Sequence, residues 1–234
     1  VVKREEGTPQ GGPLSPLLAN VLLDEVDKEL ERRGHAFVRY ADDCNVYVRS
    51  RRAGERVKRT LERQYARLQL RINEAKSAVA HPQERQFLGY SFWYARGGVV
   101  KRKVGRKALG AMKERVRRIT CRNGGRSIPT VAKELGTYLR GWQEYFRLAE
   151  TPRIFLGLDE WIRHRLRAVQ LKQWKRGRTV FRELRRRGMD LDAARQVAAN
   201  TRRWWRNADM LIHLALPTSE YDRLRVPRLS GTPS

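Results

Sequence analysis

Asp42 and Asp43 stand side by side between two short runs, residues 36–41 and 44–49, that are rich in aromatic and β-branched residues. Such runs read as the strands of a β-hairpin with the acids in its turn. Adjacent carboxylates repel each other, and a cation relieves the repulsion. A hairpin is a rigid way to push both out of a sheet face, where they could hold Mg2+. Two such ions roughly 3.5–4 Å apart can activate a 3′-hydroxyl and stabilise a leaving pyrophosphate. A bare Asp-Asp pair is more often only a polar turn, and the pair alone favours that reading.

The elements around the pair follow from periodicity. Gly7-Thr8-Pro9-Gln10-Gly11-Gly12-Pro13 is a loop by composition. Ser15 and Pro16 then form a helix start, with a capping hydroxyl and a proline at the first helical position. Leu17, Leu18, Val21, Leu22, Val26 and Leu30 follow at helical spacing, Gly34 closes the helix, and Asp24 and Asp27 fall on its wet face. Residues 53–70 return to a helical period, and Gln86 to Tyr94 reads as strand. Beyond Gly97-Gly98 the chain is mostly helical. One helix carries Leu109, Met112, Val116 and Ile119. A second opens at Ile128-Pro129, a third at Pro152, and short helices are expected near 179–187, 191–200 and 208–215. The expected class is α+β, with a boundary near residue 100 between a first domain, 1–100, and a second, 101–234.

Charge separates the two halves. Lys and Arg number 51 against 25 Asp and Glu, a net +26, and the isoelectric point is about 11.2. Residues 1–100 hold 18 basic and 13 acidic residues, and residues 101–234 hold 33 and 12. A folded chain this basic repels itself unless it meets a polyanion, and nucleic acid is the usual one, because neutralised phosphates release counterions. The second half carries that surface, while the first keeps the carboxylates a cation-dependent site needs. Cys44 and Cys121 are the only cysteines, so no disulfide framework or paired-cysteine zinc site is expected and a reducing cytoplasm fits. No stretch has the length and hydrophobicity of a membrane span, so no membrane partner is expected.

Several blocks, in order, carry a resemblance. Phe37-Val38-Arg39-Tyr40-Ala41-Asp42-Asp43 is similar to the palm hairpin of reverse transcriptases. The loop from Gly7 through Pro13 and on to Asn20 looks like the block just before it in group II intron and related bacterial enzymes. Leu70-Arg71-Ile72-Asn73 with Lys76-Ser77, then Phe87-Leu88-Gly89-Tyr90, resemble the next two. Tyr138 to Phe146 and Leu158 to Arg163 resemble the maturase-specific thumb. The chain thus resembles a group II intron-encoded reverse transcriptase/maturase over nearly its whole length.

The resemblance implies a partial palm (an antiparallel hairpin sheet with helices) followed by an α-helical thumb/maturase domain. It implies an RNA-directed DNA polymerase using Mg2+ and dNTPs, with intron or template RNA and a DNA primer as partners, that also assists splicing in a bacterial cytoplasmic ribonucleoprotein. Asp42 and Asp43 would be metal ligands. Tyr40 and Ala41 would lie near the primer end, and Gln10, Gly11 and Gly12 would line the nucleotide pocket. Lys76 would stand near the triphosphate as a proton donor, with a surface lysine as the alternative. Asn73 reads as structural, and Phe87, Leu88 and Gly89 as the anchor of the palm-to-thumb turn. Exposed arginines and lysines of the thumb, Arg140, Arg147, Arg163, Arg165, Arg167, Lys172, Lys175, Arg176 and Arg178, would contact RNA. The thumb aromatics Tyr138, Trp142, Tyr145, Phe146 and Trp161 read as core. Of Trp204 and Trp205, one is expected buried, with the neighbouring arginines facing phosphate and base stacking as the alternative. The family's fingers and its third metal-binding Asp lie upstream of Gly7, so the chain reads as a fragment that is inactive alone, and no zinc-nuclease signature follows the thumb. Two other readings stay open: a non-catalytic RNA-binding maturase or relic, and a related bacterial defence-type reverse transcriptase.

Overall fold

A computed structural model describes residues 12–200, 203–208 and 212–231. The chain divides into two compact units, residues 1–87 and 88–234, each considered by itself.

The first unit opens with α1 (Ser15–Arg32). The helix starts at the residue expected to cap it. Leu14 takes the N-cap position, offers no side-chain acceptor, and leaves Ser15 inside the first turn with Pro16 beside it. Gly34, at φ 67, ends it as expected: its N–H donates to Glu31 O at 2.8 Å, and the His35 N–H donates to Leu30 O at 3.0 Å, satisfying carbonyls the helix cannot. Leu23, Val26 and Leu30 are buried at helical spacing, whereas Leu17, Leu18, Val21 and Leu22 are exposed. Strands β1 (Ala36–Tyr40) and β2 (Asp43–Tyr47) pair antiparallel from Ala36↔Tyr47 to Tyr40↔Asp43. Helix α2 (Arg51–Arg67) is capped by Ser50, whose hydroxyl accepts from the Ala53 N–H at 3.2 Å. The unit ends in β3 (Gln86–Phe87).

The second unit begins upstream of the expected boundary. Hairpin β4 (Tyr90–Tyr94) and β5 (Val100–Val104) belongs with the helices, because Val104 is buried in their core and Tyr90 packs on Phe146 with ring centroids 5.1 Å apart. Gly89 permits that approach. Its φ is 76, and a Cβ there would meet the Phe146 ring at 3.1 Å. The expected strand from Gln86 to Tyr94 is therefore broken by a turn at Leu88-Gly89, where both residues have positive φ.

Helices α3 (Arg106–Ile119), α4 (Ile128–Tyr145) and α5 (Pro152–Trp174) follow. The proline openings of α4 and α5 are as expected, and Ser127 caps α4. The 23 residues of α5 serve two cores. Leu158, Ile162 and Leu166 pack with Met112, Val116, Leu135 and Leu139. Ala168 and Leu171 pack with α6 (Gly177–Arg186), α7 (Leu191–Ala199) and α9 (Ile212–Ala215). Of the short helix expected near 208–215 the described residues contain α9, which lies between α8 (Trp204–Asn207) and α10 (Thr218–Arg223) in the chain. Of the expected thumb core, Trp142 and Phe146 are buried, Tyr138 and Trp161 are partly buried, and Tyr145 is exposed. The segment after α10 is strapped onto α4 and α5. Asp159 accepts from the Leu229 and Ser230 N–H groups at 2.8 and 2.9 Å, and Gln143 donates to Arg228 O and Gly231 O at 3.2 and 3.1 Å.

Candidate active site and nucleic-acid interface

The turn that carries the acids is as short as a hairpin allows. Tyr40 pairs with Asp43, so only Ala41 and Asp42 connect the strands. Two-residue hairpin turns need positive φ to match the strand twist, and Ala41 supplies it at φ 53. For a residue with a Cβ that conformation costs about 1 kcal/mol, so the surroundings must hold it. Arg39 does so. Its Nη1 donates to Ala41 O and to Asn20 Oδ1, both at 3.0 Å, and its guanidinium pairs with Asp27 at 2.5 Å. Asp27 therefore lies under the hairpin with an 18% exposed side chain, not on the wet face expected of it. Its hydrogen bond raises the Arg39 pKa further. Asp24 is exposed and pairs with Lys28 at 2.7 Å.

Asp42 and Asp43 are exposed, and neither has an ion-pair partner among the described residues. The neighbouring Cys44 is half-buried, and its soft sulfur suits Mg2+ poorly. Burial, and then the charge of Asp27, push its thiol up to about 11, so it stays protonated at neutral pH. The donor set at the tip is thus two adjacent carboxylates, which suits Mg2+, an ion commonly bound through one or two carboxylates with water and substrate phosphate completing its shell. Tyr40 (63% exposed) and Ala41 share the same end of the hairpin. Gly12 is half-buried, and Gln10 and Gly11 lie outside the described residues. Lys76 is exposed, in a turn held by Asn73, whose Oδ1 accepts the Lys76 N–H at 3.2 Å, and by Arg85, which donates to Lys76 O. An open groove in this unit, which the sequence reading missed, is lined by Arg33, His35, Arg56, Arg59 and Arg63, with Glu62 the single acid among its lining residues.

The nine basic residues expected to face RNA do not share one setting. Arg163 is 3% exposed. Its Nη2 donates to Asp222 Oδ1 at 3.1 Å, to Val226 O at 3.0 Å and to Pro227 O at 3.3 Å. It holds the strapped segment and is out of reach of RNA, a correction forced by a partner 59 residues away. Arg165 and Arg167 are half-buried and tied to Thr120 Oγ1 at 2.6 Å and Leu216 O at 3.0 Å. Burial lowers the pKa of all three arginines. Arg140 is exposed yet donates to Arg225 O, and Arg147 pairs with Glu144. Lys172 lies 4.0 Å over the Trp204 ring. Lys175, Arg176 and Arg178, at the α5–α6 junction, are exposed without a carboxylate partner among the described residues.

Sequence reasoning also missed Lys113, Arg117 and Arg122, exposed cations beside Trp161 and Trp204. Lys113 and Arg117 gave a signal in their i, i+4 spacing, a like-charge pair that weakens a helix by a few tenths of a kcal/mol. No described helix is long and apolar enough to cross a membrane.

Residues 1–92 match the family model for reverse transcriptase (RNA-dependent DNA polymerase), and residues 109–188 match the group II intron, maturase-specific domain. No curated protein matches the chain. The first match contains the Asp-Asp hairpin and the second covers α4, α5, α6 and most of α3, in the order the motifs led one to expect. With a palm-type hairpin and a basic helical unit on one chain, the protein belongs to the group II intron reverse transcriptase/maturase family.

Proposed function

We propose that this chain supplies the palm hairpin and the RNA-gripping helical arm of an RNA-directed DNA polymerase that also assists splicing of its intron RNA. The observation carrying this reading is the seating of Asp42 and Asp43: exposed, unpaired among the described residues, and fixed at a two-residue turn by Arg39. Asp42 and Asp43 would hold Mg2+, which when bound lowers the cost of charge on the attacking 3′-hydroxyl and the departing pyrophosphate. The chain's own residues do the positioning. Arg39 keeps the turn from shifting. Tyr40 and Ala41 face the primer terminus. Gln10, Gly11 and Gly12 line the dNTP pocket, where glycine lets backbone approach the substrate closely. Lys76 gives a proton to the leaving pyrophosphate. On the helical arm, Lys175, Arg176 and Arg178 take RNA phosphates, and the protein works in the bacterial cytoplasm as a ribonucleoprotein with its intron.

The test is primer extension on an RNA template, using a chain carried upstream through the family's acidic palm strand. Asp42→Ala should abolish Mg2+-dependent extension and leave RNA affinity within about twofold, since Asp42 touches no phosphate-binding cation. Extension that survives the substitution refutes the metal assignment.

A further inference from the structure

On the helical unit, the rings of Trp161 and Trp205 flank one guanidinium. The Arg165 Cζ lies 5.4 Å from the Trp161 centroid and 6.0 Å from that of Trp205. Arg165 is not free to swing toward a ligand. Its Nε donates to Thr120 Oγ1 at 2.6 Å, and its Nη2 reaches Arg117 O and Thr120 O, both at 3.4 Å. Thr120 is fully buried, and its hydroxyl in turn donates to Val116 O at 2.6 Å. The guanidinium is thus a fixed spacer between two indoles. His164 lies against Trp205 with centroids 4.0 Å apart, and the indole is still 45% exposed.

Cations crowd this strip. Arg117 and Lys113 lie 5.7 and 6.0 Å from Trp161, and Arg122 lies 5.9 Å from Trp204. None of the three has a carboxylate partner among the described residues. Burial, and then repulsion from Arg117 and Arg122, lower the Arg165 pKa, which agrees with the crowding. A partner for this surface must bring negative charge for the cations and a flat π face for Trp205. An acidic peptide brings only the first. A duplex brings phosphates but keeps its bases stacked inside. A single-stranded nucleotide brings both.

We infer that the Trp161–Arg165–Trp205 strip seats an unpaired nucleotide, its base stacked on the open part of Trp205 and its flanking phosphates on Arg117 and Arg122. The inference rests on the reading that this unit binds RNA, and adds that it captures a splayed base there. A basic, rigid platform of this kind would hold a bulged or loop nucleotide of a folded RNA, the unpaired element that proteins recognise most readily in RNA.

Binding of the full chain to three probes tests it: a short single-stranded RNA, the same strand with abasic linkages, and a duplex of equal length. The unmodified chain should bind the intact strand roughly tenfold tighter than the abasic one, the lower range of one stacked base. Trp205→Ala should remove that preference and leave duplex affinity within about twofold, while Trp205→Phe should keep most of it. Photo-crosslinking of a thiouridine-bearing strand to the unmodified chain should label the peptide that bears Trp205, a measurement that does not depend on any variant folding. Equal affinity for intact and abasic strands, an unaltered preference in folded Trp205→Ala, or crosslinking confined to other peptides each overturns the inference. If the duplex is still bound, the RNA-binding reading stands. If none of the three probes binds, that reading falls first.

Discussion

Replacing Arg163 separates an RNA contact from a structural clamp. Its guanidinium is held by one carboxylate and two backbone carbonyls. Removing it leaves Val226 O and Pro227 O without this donor, at about 1–3 kcal/mol for each buried acceptor. Asp222 suffers less, because Arg228 still pairs with it at 2.5 Å. Relief from burying the guanidinium offsets part of the loss, and the space left by its methylenes adds to it. The expected net for Arg163→Ala is about 3 kcal/mol, at the lower end of what breaking a buried ion pair costs. For a domain of this size that lowers Tm by roughly 6–12 °C. Arg163→Met, which keeps the volume, should lose about half as much. Circular dichroism melts give the stability, and RNA titrations well below both transitions give the affinity, which should change less than about twofold. An Arg163→Ala chain that melts with the parent while losing tenfold or more in RNA affinity would refute the clamp and restore the residue to the interface.

Other outcomes follow from the same geometry. Iodoacetamide at mildly alkaline pH should label exposed Cys121 well before Cys44, read by peptide mass mapping, because the Cys44 thiol is pushed up to about 11. The folded thiol holds its proton more tightly than an unfolded one, so the stability linked to Cys44 is complete below pH 9 and is lost as pH rises from 9 toward about 11. Gly89→Ala should cost about 1–3 kcal/mol in denaturant melts, from the positive φ and the contact a methyl would make with Phe146 at 3.1 Å. RNA affinity of the chain should fall roughly a hundredfold or more between about 50 and 200 mM salt, and a flat salt dependence would remove phosphate contacts from the account.

The hairpin was legible because its determinants are local: alternating aromatic and β-branched residues around an acid pair. The same holds for the start of α4, where Ser127 and Pro129 act within one turn. Arg163 was not legible. It neighbours the apolar positions Leu158, Ile162 and Leu166 on α5, and only the return of the chain at Asp222 and Val226 makes it a buried donor. Asp27 likewise reads as a wet helical acid until β1 brings Arg39 over it. Trp161 and Trp205 lie on separate helices with α6 and α7 between them in sequence, so no window could pair them. The division into units shifted because Tyr90 and Val104 pack with helices, and strand periodicity alone does not say what a sheet rests on.

The strap across α4 and α5 also bears on the protein's synthesis. Gln143 and Arg140 close loops of 85 residues or more with Arg225, Arg228 and Gly231, and contacts of such sequence span form late because the chain entropy must first be lost. A ribosome that has released only as far as α7 exposes α4 and α5 with Leu229 and Tyr221 still missing from their shared interior. The arm can therefore set only after residues through about 231 have left the exit tunnel, and a transcript cut short of that point yields a basic, half-packed helical chain prone to aggregation or proteolysis.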